Sequence, residues 1–130
     1  MTDYTLLNLR TDVEDMAPKF GMGDGIEAHF GRKALGLEKS GMSYFKLEPD
    51  YKLPFGHTHT EQEEIYVVVS GTARLKLDDE EIELSALDAV RIPDGVTRGM
   101  AAGSEGAELI AFGAPNNENE DVEMKPGFWS

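Results

Sequence analysis

From Met42 onward, apolar and polar residues alternate with a period of two. Alternation of this kind marks strands with one buried face. Met42 to Leu47 reads as a strand. In Thr72 to Leu77, Ala73, Leu75 and Leu77 share one face while Arg74 and Lys76 share the other. Asp78-Asp79 offers a tight turn, and Ile82 and Leu84 begin the return strand. Ala89 to Ile92 is a further strand, stopped by Pro93-Asp94-Gly95. Thr97 to Ala101 and Glu108 to Phe112 follow. Ile65 to Val69 is the longest unbroken apolar run, and its β-branched and aromatic residues predict a strand buried on both faces. Short strands with turn signals at this spacing predict a sandwich or barrel.

The first forty residues are less regular. Leu6 to Leu9 predicts an edge strand, and Gly21 to Gly25 a plain loop without the Lys-Ser/Thr of a phosphate loop. Ile26 to Phe30 and Ala34 to Leu37 are expected as a strand pair or irregular structure. Asn116 to Glu123 is acidic and reads as a linker. Beyond it, Phe128-Trp129 is expected to dock on its own barrel or on a partner subunit, because a terminal aromatic pair is costly in water. The division is therefore residues 1–41 completing the barrel or a dimer interface, 42–113 as barrel core, and 114–130 as linker and docked tail.

With 130 residues the chain suits one domain. Asp and Glu number 25 against 12 Lys and Arg, a net charge of −13. That charge predicts no nucleic acid and no anionic membrane among the partners, since both are held by clustered cations. It suits solubility, including in a salty cytoplasm. No apolar run approaches membrane-spanning length, and a cytoplasmic location is expected. There is no cysteine, which removes disulfides, thiolate nucleophiles and cysteine metal ligands. No serine sits in a nucleophile elbow. The acidic run Asp78 to Glu81 reads as a solvated hairpin tip, because its oxygen spacing is wrong for calcium.

The chemistry gathers around His57-Thr58-His59. Residues i and i+2 of a strand face the same way, so both imidazoles can converge. Glu61, Glu63 and Glu64 follow closely, and two imidazoles with one carboxylate suit iron, manganese, zinc or nickel. His29, the third histidine, is isolated and reads as a surface or core residue.

His57, one residue, His59, four residues, Glu64, six residues and Gly71 resemble the first motif of the cupin superfamily. Tyr51 stands at that motif's leading glycine. The segment Leu87 to Ala102 resembles the second motif. Pro93 and Gly95 match it, whereas Leu87 replaces a glycine, Arg98 a histidine and Ala102 an asparagine. The resemblance spans Met42 to Gly113. It implies an all-β fold, the double-stranded β-helix or jelly-roll barrel, as a single domain. It also implies that His57, His59 and Glu64 occupy three of four metal-ligand positions, and that the protein is a homodimer.

Arg98 alters that implication. A guanidinium has no lone pair and stays protonated, so it cannot ligate. Near a dication it would add several kcal/mol of repulsion. It is well suited to pair with a carboxylate. The expectation is a metal-free site in which Arg98 pairs with Glu64, favoured over a three-ligand site with Arg98 swung out. Arg98, His57, His59, Tyr44, Phe55, Gln62 and Tyr66 would line a pocket for a small polar or anionic ligand. The competing readings are a metal-dependent dioxygenase, isomerase or decarboxylase using His57, His59 and Glu64, and an interaction module acting through the Trp129 tail.

Overall fold

The computed structural model describes residues 2–116 and 121–129. A 3₁₀ turn over Ala17–Phe20 precedes β1 (Ile26–Phe30), the one-turn helix α1 (Arg32–Leu35) and β2 (Gly41–Leu47). Then come β3 (Phe55–His59), β4 (Glu63–Leu77), β5 (Glu80–Ser85), β6 (Ala89–Ile92), β7 (Thr97–Ala114) and β8 (Val122–Pro126). All eight strands join one curled sheet, a single-domain all-β jelly roll. The order along one path is β1-β2-β7-β3-β8, while β4 pairs with β5, β6 and β7. Every pairing is antiparallel.

Two long strands do the curling. β7 runs 18 residues and β4 runs 15, so each joins segments that the alternation pattern separates. Their mutual register slips between Val68 and Ser70 and again between Gly71 and Ala73. Gly71 (φ 74°) and Gly106 (φ 79°) sit at these slips. Such bulges bend a strand without ending it, because a glycine takes the left-handed conformation freely. One ribbon can therefore turn from one half of the barrel to the other.

Phe45, Leu47, Tyr66, Val68, Leu75, Ile92, Met100 and Leu109 fill the interior. Phe30 stands edge-on to Phe45, with ring centres 6.0 Å apart. Burying a side chain of this size contributes about 1.5–3 kcal/mol.

Four sequence expectations need correction. Leu6 to Leu9 forms no strand. Ala34 and Leu35 belong to α1 rather than to a strand. The run Ile65 to Val69 is buried on one face only: Tyr66 and Val68 face the core, while Ile65 is 37% exposed and Val69 47%. A run of apolar residues looks the same whichever face is covered, so period alone could not separate the two cases. The stretch expected as a linker contains Asp121, which is buried, and the start of β8. Its residues 117–120 lie outside the described residues.

The tail docks on its own barrel. Gly56 and Gly99 leave the room for Phe128: a methyl group on either would come within 2.8 Å of that ring. Trp129 lies under Lys52 and Arg74, their charges 5.1 and 5.7 Å from the ring. Lys76 covers the Phe128 ring at 4.5 Å and also donates to the Phe128 carbonyl. These cations lose little hydration over an aromatic face, and each such contact contributes about 0.5–1 kcal/mol.

Leu87 stands in the left-handed region (φ 71°), where the second cupin motif carries glycine. A side chain there costs about 1–2 kcal/mol. The turn holds because Leu87 N–H donates to the Val68 carbonyl and Asp88 accepts from Ser85 N–H.

Candidate functional site

β3 carries the two imidazoles. Period-two geometry turns Phe55, His57 and His59 to the interior and leaves Gly56 and Thr58 against the Phe128 side. β3 lies between β7, with His57 opposite Arg98, and β8, with His59 opposite Val122. Thr58 and Thr97 lock the β3–β7 pair through hydroxyls 2.6 Å apart. Glu64 enters from the start of β4, opposite Ile92 and Gly113.

These elements bring His57, His59, Glu64 and Arg98 together. The two imidazoles stand edge to face, centroids 5.0 Å apart. Arg98 is 1% exposed, and its Nη1 donates to Glu64 Oε1 at 2.9 Å. Its Nη2 donates to the Val96 carbonyl at 3.0 Å and the Pro93 carbonyl at 3.4 Å. Those carbonyls lie at the start of the Pro93-Asp94-Gly95 turn and just after it, so the segment that stops β6 also seats the guanidinium. Nε has no hydrogen-bond partner among the described residues. His59 Nε2 is 3.8 Å from the same Glu64 oxygen. Tyr66 is buried against the Glu64 carboxylate. Desolvation foremost, and then the negative charge of Glu64, raise its hydroxyl pKa well above the usual tyrosine value.

The other expected site residues divide. Phe55 shares the His57 face and packs against the core. Gln62 sits at the rim, its side chain donating to the Pro115 carbonyl at 3.2 Å. Tyr44 is not at the site. Its neighbours in sequence, Phe45 and Leu47, take the interior, so Tyr44 faces outward. There its hydroxyl donates to Glu108 Oε1 at 2.6 Å, and its ring stacks on His29. The one-residue offset decides this, since adjacent strand residues face opposite ways. His29 is buried on the same side, its Nδ1 bonded to the Val13 carbonyl and Nε2 to Glu27.

Asp121 is the site residue that the sequence did not reveal. It is 6% exposed, with Oδ1 3.2 Å from His59 Nδ1. Its Oδ2 accepts from the backbone N–H of Gln62 at 3.0 Å and of Glu61 at 3.4 Å. Burial opposes its ionisation, but the His59 hydrogen bond and the two amides outweigh that and hold it below its ordinary value. In sequence it sits in a polar acidic run, and only the β3–β8 pairing brings it inward.

His57 is pushed down to about 3, first by desolvation and then by the charges of His59 and Arg98. It is therefore neutral, with a free lone pair, at ordinary pH. An unfolded histidine titrates near 6.5. Above about pH 6.5 neither state binds the proton, so His57 leaves stability unchanged. Between about 6.5 and 3 only the unfolded state binds it, so stability falls as pH falls, by at most about 1.4 kcal/mol per pH unit. Urea midpoints taken across this window should fall more steeply for the native protein than for His57→Gln. Parallel slopes would show that His57 titrates normally.

The donor set fits a metal in part. Ligand atoms of His57, His59 and Glu64 all lie within 4.8 Å of one another. Two imidazole nitrogens and a carboxylate oxygen are donors for iron, manganese, zinc or nickel. These three residues could hold such an ion, while Arg98, which has no lone pair, could not add a ligand to them.

Among curated proteins, none matches this chain. Solved structures share its fold. A cupin protein from Bacteroides fragilis is 24% identical with a TM-score of 0.71, covering 91% of this chain and 89% of that one. KdgF from Halomonas sp. is 21% identical with a TM-score of 0.70, covering 91% and 98%. A Streptomyces nucleoside dehydratase, solved with uridine, is 16% identical with a TM-score of 0.72, covering 98% and 93%. The Cupin domain family profile matches residues 43–113, more than half of the sequence. The motif around His57, the curled antiparallel sheet and this match agree: the chain belongs to the cupin family.

Proposed function

We propose that the barrel mouth binds a small polar or anionic molecule, without a complete four-ligand metal centre. The observation that carries this reading is the 2.9 Å bond from Arg98, a buried cation, to Glu64. The pair spends the Glu64 charge on the protein itself. His57 and the Nε2 side of His59 then remain to meet a ligand beside a permanent cation. Phe55 and Tyr66 supply the apolar wall. Uridine, with which one structural neighbour was solved, and a small carboxylate that a guanidinium could pair with are useful probes.

The second reading, a metal-dependent enzyme, rests on the clustering of the His57, His59 and Glu64 ligand atoms. An ion held there would act as a Lewis acid with open positions for water or substrate. The interaction-module reading loses support, because Phe128 and Trp129 are spent on their own barrel. Elemental analysis with thermal shift decides between the first two. Metal-free protein stabilised by a carboxylate probe supports the binding reading. At about 100 times Kd the gain is about 2.7 kcal/mol, and His57→Ala should abolish it. Stoichiometric metal that is lost in His57→Ala, with no response to carboxylates, would overturn it in favour of the enzyme.

The homodimer is part of this proposal. Ile65 and Phe112 pair across β4 and β7, Val69 follows, and all three are exposed apolar side chains that suit a second copy. Sedimentation should return about twice the 14.3 kDa chain mass.

No helix among the described residues is long and apolar enough to cross a membrane.

A further inference from the structure

The geometry points to Asp121 as a positioning residue: from the C-terminal strand, it dictates which nitrogen of His59 carries the proton. This deepens the proposed function and rests on His59 being part of the binding site.

Backbone pairing delivers the carboxylate. β8 runs antiparallel to β3 with Val122 opposite His59, and Thr60 N–H donates to the Asp121 carbonyl at 2.8 Å. Asp121 therefore sits one step past the last strand pair, beside the His59 ring. Its two oxygens have divided duties. Oδ2 faces the N–H groups of Gln62 and Glu61, which can only donate. Oδ1 faces His59 Nδ1. An ionised carboxylate only accepts, so Nδ1 must donate. In the neutral ring the lone pair is then left on Nε2, the nitrogen that faces Glu64 at 3.8 Å. A free histidine side chain prefers the opposite tautomer, with its proton on Nε2. The chain thus uses a buried carboxylate, 6% exposed, to turn a lone pair toward the other site residues. That lone pair is what His59 offers, whether it accepts a proton from a ligand hydroxyl or holds a metal.

Asp121→Asn makes the idea testable, because the variant should invert the tautomer. The two backbone donors still require an oxygen, so the Asn carbonyl stays with Gln62 and Glu61. Its NH₂ then turns to His59 Nδ1. Nδ1 becomes an acceptor and the proton moves to Nε2.

Imidazole ¹⁵N NMR of the full chain, at alkaline pH where histidines are neutral, reads this directly. Native protein should show His59 protonated on Nδ1, and Asp121→Asn should show it on Nε2, with the His57 signals little changed. A native His59 protonated on Nε2 overturns the inference, and so does an Asn variant that keeps the native tautomer. Should the variant fail to fold, the native spectrum alone still decides. Zn²⁺ titration separates this claim from the functional one. A 10–100-fold loss of Zn²⁺ affinity in Asp121→Asn follows if His59 ligates through Nε2. Inversion in a protein that binds neither Zn²⁺ nor a small carboxylate would sink the proposed function and leave the role of Asp121 standing.

Discussion

Replacing Arg98 with methionine should cost the fold about 3–5 kcal/mol, a large share of a small domain's stability. The guanidinium is 1% exposed and neutralises a Glu64 side chain that keeps only 12% exposure. Removing it leaves a buried carboxylate without its cation and frees the Val96 and Pro93 carbonyls. Glu64 would either pull in water or take up a proton, and both cost stability. The loss is read as a drop in the urea midpoint. A second variant identifies the cause. Replacing both partners, Arg98→Met with Glu64→Met, removes the stranded charge and should recover most of the loss. A double variant as unstable as the single one would mean that Arg98 stabilises through packing rather than through its charge.

Arg98→His should have the opposite consequence for metal. Position 98 lies directly opposite His57 in the β3–β7 pairing, so its side chain faces the same interior. The change removes a fixed positive charge, releases Glu64 Oε1, and adds an imidazole to two others. Zn²⁺ or Ni²⁺ affinity should rise by more than the roughly 10–100-fold that an outer-shell partner is worth. Competition against a chelator measures it. An unchanged affinity would show that the mouth was never shaped as a four-ligand sphere. It would leave the proposed ligand site as the better account of His57 and His59.

The two variants probe one design choice. A cation at position 98 secures the Glu64 carboxylate and bonds the Pro93 and Val96 carbonyls, and in the proposed function it stands where a fourth ligand would. The native protein therefore holds three donors under a cation that opposes a dication's charge. For this reason the binding reading and the metal reading predict opposite outcomes in elemental analysis.

Much of this was legible in the residues. The alternation in Thr72 to Leu77 foretold the inward Ala73 and Leu75, because side-chain direction in a strand is a local property of the pleat. The spacing of His57 and His59 placed both rings on one face for the same reason. The charge logic of Arg98 and Glu64 needed only the chemistry of the two groups, and the structure pairs them at 2.9 Å. Tyr44 shows the limit: its aromatic character suggested a pocket wall, but its register turns it to Glu108 on the outer face.

The sequence by itself determined the period of the strands, the donor types available and the presence at position 98 of a cation that cannot ligate, since each depends on a residue and its immediate neighbours. Tertiary structure alone decided that Ile65 and Val69 face outward, that Phe128 fills the space over Gly56 and Gly99, and that Asp121 reaches His59 across 62 residues of chain. Those outcomes depend on which strands pair and which face of the sheet is covered. Hydrogen bonds between distant backbones settle both, and no local pattern of polarity encodes them.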